Sequence, residues 1–377
     1  MGVDAWGFDR ERQAVAHRVR SKRLRLQAVH TAAFGGFAIA LVGGGAASME
    51  DATARLGWPS WAALTAFLAI LFALFALLEL PFRFISGFRW ERSMGLSNQT
   101  LVGWFKDLAK TLALGLGSTI AVAGVLLWLL ATTPWWWLVA WLLGIGVSIG
   151  LGFLAPILLV PLFYRLRPIA DEALRARFES LAARAGVPIL GVFEMRASSK
   201  TNRSNAAVMG FGRTRRIVVT DTLLRDFPVD EVDTVLAHEL AHQRHLDPLR
   251  GFVLGSLTSL AIVAISATVY GAAVSWFGIR SAGDAAGLPL LVVIFSLVAL
   301  PFRPLELRWS RDRERRADQF ALALTGNPAA FAGAMVRLHD RNLGVADPRV
   351  WEKWLFYSHP TGRERVDAAR AFAATRA

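Results

Sequence analysis

The chain has 377 residues, 54% of them hydrophobic, with a formal net charge of +13 and no cysteine. Apolar residues this numerous, gathered into long runs, exclude an ordinary soluble protein, and the lack of cysteine excludes a disulfide framework or a cysteine-ligated metal. No nucleic-acid motif accompanies the basic excess, so no nucleic-acid partner is expected; basic loops flanking membrane spans account for it.

Residues 1–25 are polar and basic, with Arg18, Arg20, Lys22, Arg23 and Arg25 just ahead of the first apolar run, and read as a cytoplasmic N-terminal tail. Residues 26–48 form a first span, too long and too far from the start for a cleaved signal peptide. Glu50 and Asp51 mark an outer loop. A second span covers about 61–80 and a third about 108–131, each long enough to cross a bilayer. Thr132-Thr133-Pro134 turns the chain, and Trp135, Trp136 and Trp137 read as an interfacial aromatic belt. The fourth span, about 138–163, contains Pro156 and Pro161 and is expected to kink. Residues 26–163 are thus a four-span membrane domain.

A polar segment, 164–250, follows. Residues 168–186 have the pattern of an amphipathic helix, and 189–195 and 217–220 read as strands. Between them, 198–205 is a polar loop running into a further apolar strand. A helix then begins near Val229, with Asp230 and Glu231 in its first turn. Residues 251–302 form a two-span hairpin, about 252–277 and 285–301. Residues 303–377 are polar again and mostly helical. Lys and Arg concentrate in 1–25, 82–107, 164–250 and 302–377. Six spans with both termini inside satisfy that distribution and set both polar segments on the cytoplasmic side.

The chemistry centres on His238-Glu239-Leu240-Ala241-His242. Two histidines four apart share a helix face and can converge on one metal ion, and Glu239 can take a proton from a water at that metal. An ordinary helix can also carry such a pattern, so completing residues matter. A catalytic zinc takes three protein ligands and keeps one position open. Glu314 and Asp318, four apart, offer a third ligand and a carboxylate to hydrogen-bond a ligand histidine; a charged surface helix laced with ion pairs is the other reading of this stretch. Ser358-His359-Pro360 supplies a histidine that could donate to a developing oxyanion or simply lie on the surface.

Taken together, His238-Glu239-Leu240-Ala241-His242, Glu314 with Asp318, and Ser358-His359-Pro360 followed by Arg365-Val366 resemble the type I CaaX prenyl endopeptidases. Ser204-Asn205-Ala206, Leu80-Pro81-Phe82 and residues 95–100 are similar as well. The resemblance covers about 60–370. It implies a mainly α, polytopic membrane protein with about six transmembrane helices and a cytoplasmic, zincin-like α+β metalloprotease domain. That domain is split into a first part, 164–250, and a second, 303–377. It implies one zinc ion per chain on His238, His242 and Glu314, Glu239 as base, Asp318 behind a ligand, and His359 and Arg365 at the oxyanion. It also implies a peptide or protein substrate, lipidated or membrane-embedded substrates included, extended along an edge strand at Asn205 and Ala206. The rival readings are a general quality-control protease of the membrane and, from another class, a transporter or a receptor with an inactive protease-like domain. Few ionisable residues lie in the spans, which argues against transport.

Overall fold

The structure, a computed structural model, describes residues 2–376, apart from the side chain of Arg213. Helix α1 (Arg10–Ala40) opens at Asp9, whose carboxylate accepts from the amides of Glu11 and Arg12; such a cap satisfies donors that a helix start leaves open. The basic stretch expected as a tail is therefore mostly the water-facing beginning of the first membrane helix. After a π-helical turn (Leu41–Gly45) the helix continues as α2 (Ala46–Ala54). Gly44 marks the kink with φ +119°, a conformation that a side chain would strain.

Helix α3 (Ser60–Arg83) follows, then a π-helical stretch and the short α4 (Glu91–Ser93). Thr100 caps α5 (Leu101–Thr132), and α6 (Trp136–Leu154) returns toward the starting side. Pro156 falls in a π turn and Pro161 at the start of α7 (Val160–Phe163), so the expected kink has its cause in two prolines that cannot donate to the ladder.

The polar segment builds a four-stranded sheet in the order β1 (Leu166–Pro168), β2 (Gly191–Met195), β4 (Arg216–Thr220), β3 (Ala206–Met209). β2 and β4 are parallel; β1 and β3 run antiparallel to their neighbours. Helix α8 (Glu172–Arg184) crosses between β1 and β2, and α9 (Asp221–Asp226) leads from β4 to α10 (Val229–Arg244). The loop before β3 is tied to residues 95–100: Ser97 bridges Thr201, and the Asn98 amide donates to the Lys200 carbonyl at 3.0 Å.

Helix α11 (Asp247–Ala273) and helix α12 (Leu288–Ala299) form the hairpin. A single 3-10 turn joins α12 to α13 (Arg303–Thr325), so the sixth span runs straight out of the apolar region. α14 (Pro328–Asn342), α15 (Val350–Phe356) and α16 (Gly362–Ala374) complete the chain. Six helices among the described residues are long and apolar enough to cross a membrane.

Helix α10 lies inside the polar domain. Val232, Leu236 and Leu240 on it join Phe178, Ile217, Val219, Ala321 and Phe331 in one core. Leu236 and Leu240 are fully buried, and burial of each stabilises the fold by roughly 1.5–3 kcal/mol. The core thus holds still the helix whose other face carries His238 and His242.

Candidate metal centre

His238 and His242 face each other across one turn of α10, with their Nε2 atoms 3.3 Å apart. Glu314, from α13, closes the third side. One of its oxygens, Oε2, lies 3.1 Å from His238 Nε2, and the other, Oε1, lies 3.5 Å from His242 Nε2. Each of the three residues offers one ligand atom, and these atoms all lie within 4.8 Å of one another. Glu314 Oε2 is buried without a hydrogen-bond partner, an arrangement that costs free energy unless a cation meets it.

The opposite edge of each imidazole meets a carboxylate. His238 Nδ1 is 2.9 Å from Asp318 Oδ1, and His242 Nδ1 is 2.9 Å from Asp247 Oδ2. Both carboxylates are almost fully buried. An Nδ1–H given to a carboxylate leaves Nε2 free as a metal donor and fixes the ring plane. Burial opposes charge on His238, yet Asp318 and Glu314 outweigh it, and His238 is raised to about 9. Two imidazole nitrogens and one carboxylate oxygen, with the His359 side of the site exposed, suit a zinc ion with an open position.

Glu239 sits half-buried next to His238. Burial raises its carboxyl above the usual range, while His238 and His242 pull the other way. His359 is exposed; its Nε2 is 3.3 Å from Glu314 Oε2, and its Nδ1 is 2.8 Å from Ser358 Oγ. Arg365 lies deeper. It donates to both oxygens of Asp318, and its Nη2 is 3.3 Å from His238 Nδ1. The guanidinium is thus engaged behind the histidine. Asn205 is exposed just before β3, with its carbonyl accepting from the Thr220 amide at 3.0 Å. Ala206 is the buried first residue of that strand. Gln243, adjacent to His242, reaches the Val208 carbonyl at 3.4 Å and ties β3 to the site. All nine residues expected from the sequence thus lie at the centre or on the strand beside it.

Asp247 was not expected. Five positions after His242 on one continuous helix, it would point about 140° away. The chain breaks instead at Leu246, held at φ +55°, and the break swings Asp247 back onto the His242 ring. Pro248 right after it, a residue favoured in a first helical turn, was the only sequence sign of that break.

Residues 168–373 match peptidase family M48, and residues 8–165 match the family described as CAAX prenyl protease N-terminal, five membrane helices. The chain belongs to peptidase family M48. A protein named uncharacterized metalloprotease YhfN, from Bacillus subtilis, is 32% identical over 301 residues, covering 78% of this chain and 70% of its own. CAAX prenyl protease 1 of Saccharomyces cerevisiae is 28% identical over 317 residues, covering 78% and 68%. The crystal structure of S. mikatae Ste24p superposes with a TM-score of 0.84 at 22% identity, over 96% of this chain and 89% of that one. As an M48 peptidase the protein is an integral-membrane zinc metalloendopeptidase, multi-pass, acting on peptide or protein substrates. A transporter or an inactive receptor is thereby set aside. Four of the six candidate spans fall within residues 8–165, where the matched description names five.

Proposed function

We propose that this M48 peptidase cleaves lipid-modified peptides of the CaaX type on the cytoplasmic side of its membrane, with residues 164–250 and 303–377 forming the protease and 26–163 and 251–302 the membrane domain. The observation that carries the substrate class is that the likeness to CAAX prenyl proteases extends through residues 8–165 as well as the peptidase segment. Sidedness rests on the basic loops.

In this reading His238, His242 and Glu314 hold the zinc ion, which supplies Lewis acidity to the scissile carbonyl and to a water. Glu239 takes the proton of that water and returns it to the leaving amine. His359, exposed beside Glu314, donates to the oxygen of the reacting carbonyl. Asp318 and Asp247 hold the two ligand rings in the Nδ1–H form. Arg365 holds Asp318, a role its buried ion pair favours over the oxyanion role that the resemblance implied. The substrate adds a strand beyond β3, where Ala206 and Val208 turn backbone groups outward. The test compares a farnesylated CaaX-type peptide with its unmodified twin, using purified protein with and without a chelator. Preference for the lipidated peptide, lost with chelator, is expected. Equal cleavage of both would favour the second reading, general quality control of membrane proteins.

A further inference from the structure

Helix α15 carries an apolar surface that the catalytic reading leaves unused. Val350, Trp351, Trp354, Leu355 and Phe356 are 39–74% exposed, while Glu352 on the opposite face is buried. Positions 350, 351, 354 and 355 share one helix face. Five neighbouring large apolar residues in the open call for an occupant.

The surroundings of the helix identify one. On one side it meets α1: Arg20 forms an ion pair with Glu352 at 3.2 Å, and its guanidinium carbon lies 4.9 Å from the centre of the Phe356 ring. On the other it meets α13: Arg311 donates to the carbonyls of Lys353 and Tyr357, with its guanidinium carbon 5.4 Å from the Trp354 ring centre. Both α1 and α13 run directly into membrane spans. Arg20 precedes the apolar run of the first span by six residues, and Arg311 follows residue 301, where the sixth span ends, by about ten. At a rise of about 1.5 Å per residue, α15 lies roughly 9–15 Å beyond the hydrocarbon edge. The headgroup layer occupies about 5–8 Å of that distance on each side, so tryptophan side chains can bridge the remainder. Leu305, in the first turn of α13, is 66% exposed on the bilayer side of Arg311. Arg308 and Arg349 are exposed nearby, matching anionic headgroups in charge. Tryptophan with a basic rim is the composition of an interfacial anchor.

We propose that α15 is a membrane-surface anchor, seated with Trp351, Trp354 and Leu355 in the headgroup layer of the leaflet at which α1 and α13 emerge. Tyr357, Ser358 and His359 follow the helix without a break, so the anchor sets the height of His359 above the bilayer. A substrate near that surface meets the site at a fixed depth.

The chain has no cysteine, so single labels are clean. Nitroxide is attached to Trp351→Cys and Leu355→Cys in full-length protein in nanodiscs containing phosphatidylglycerol. Collision rates with oxygen and with a water-soluble nickel chelate are then measured. Val147→Cys, in α6, serves as the lipid reference, and Arg175→Cys, in α8, as the water reference. Zinc content and gel filtration confirm folding, and Val350→Cys substitutes for any variant that fails them. The expected result is oxygen exceeding nickel at 351 and 355, on the Val147 side of the two references. Nickel dominance like that at 175 would overturn the anchor and leave the patch as a docking face for a peptide. Low rates for both reagents would also overturn it, because protein would then cover the helix.

Discussion

Glu239 stands beside His238 but outside the group of three residues that could hold a metal ion. Glu239→Gln is expected to keep zinc bound while kcat/KM falls by ~10²–10⁴-fold, the usual value of a general base; loss of zinc in that variant would reassign it as a ligand. Glu314→Ala, in contrast, removes both oxygens that face the histidines and should abolish zinc and turnover together. Asp318→Asn and Asp247→Asn leave three ligands in place and should weaken metal affinity or activity by ~10–100-fold each. Metal analysis of the purified variants decides between these assignments. The histidine pair was legible because helical spacing sets which side chains share a face, whereas Glu314, on another helix, was singled out only through the resemblance. Asp247 was not, because its role depends on one left-handed residue, Leu246, which no spacing rule reports. Burial lowers His339 to about 4, against the raising effect of its hydrogen bond to the Met335 carbonyl, from an ordinary 6.5. Between those values the unfolded chain binds the proton that the fold refuses. Its contribution is complete above pH 6.5 and is lost as pH falls toward 4, by roughly 3 kcal/mol. Melting curves of His339→Asn in detergent should lose less stability across that window than the parent; identical slopes would remove His339 from the explanation.

At the scale of elements, β3 offers the most specific test. The Asn205 carbonyl bonds inward to Thr220, so antiparallel alternation turns the amide and carbonyl of Ala206 and Val208 away from β4. Gln243 already uses the Val208 carbonyl, which agrees with that direction. Ala206→Pro deletes one outward N–H and leaves the ladder to β4 intact, as proline at an edge can. The expected loss is about 2–10-fold in kcat/KM with normal zinc, the value of one backbone hydrogen bond. An unchanged rate would mean that the substrate does not extend this strand. β2, β4 and the apolar end of the β3 loop were readable from runs of β-branched and apolar residues. β1 was not: Leu166-Arg167-Pro168 is too short for a period and pairs only because the chain leaving the fourth span passes β2. The start of the first helix was not legible for a related reason. Hydropathy marks where lipid begins, whereas the Asp9 cap marks where the helix begins, well ahead of the bilayer.

For the whole molecule, the six candidate spans were legible because each needs only an apolar run of sufficient length. The pairing of outer loops was not legible: Arg280, between α11 and α12, forms ion pairs with Glu50 and Asp51 at the end of α2. Single cysteines near Asp51 and Gly283 should react with an impermeant reagent on intact cells, and one near Arg215 only after permeabilisation. Labelling at 215 from outside would reverse the sidedness and, with it, the substrate pool.

The three residues that could hold the metal ion are divided across the α11–α12 hairpin: His238 and His242 come before it, and Glu314 follows it. During synthesis the two histidines leave the ribosome first, and the cleft stays short of its third arm until the fifth and sixth crossings are in place. A half-inserted chain therefore carries two of the three side chains that could hold the metal ion.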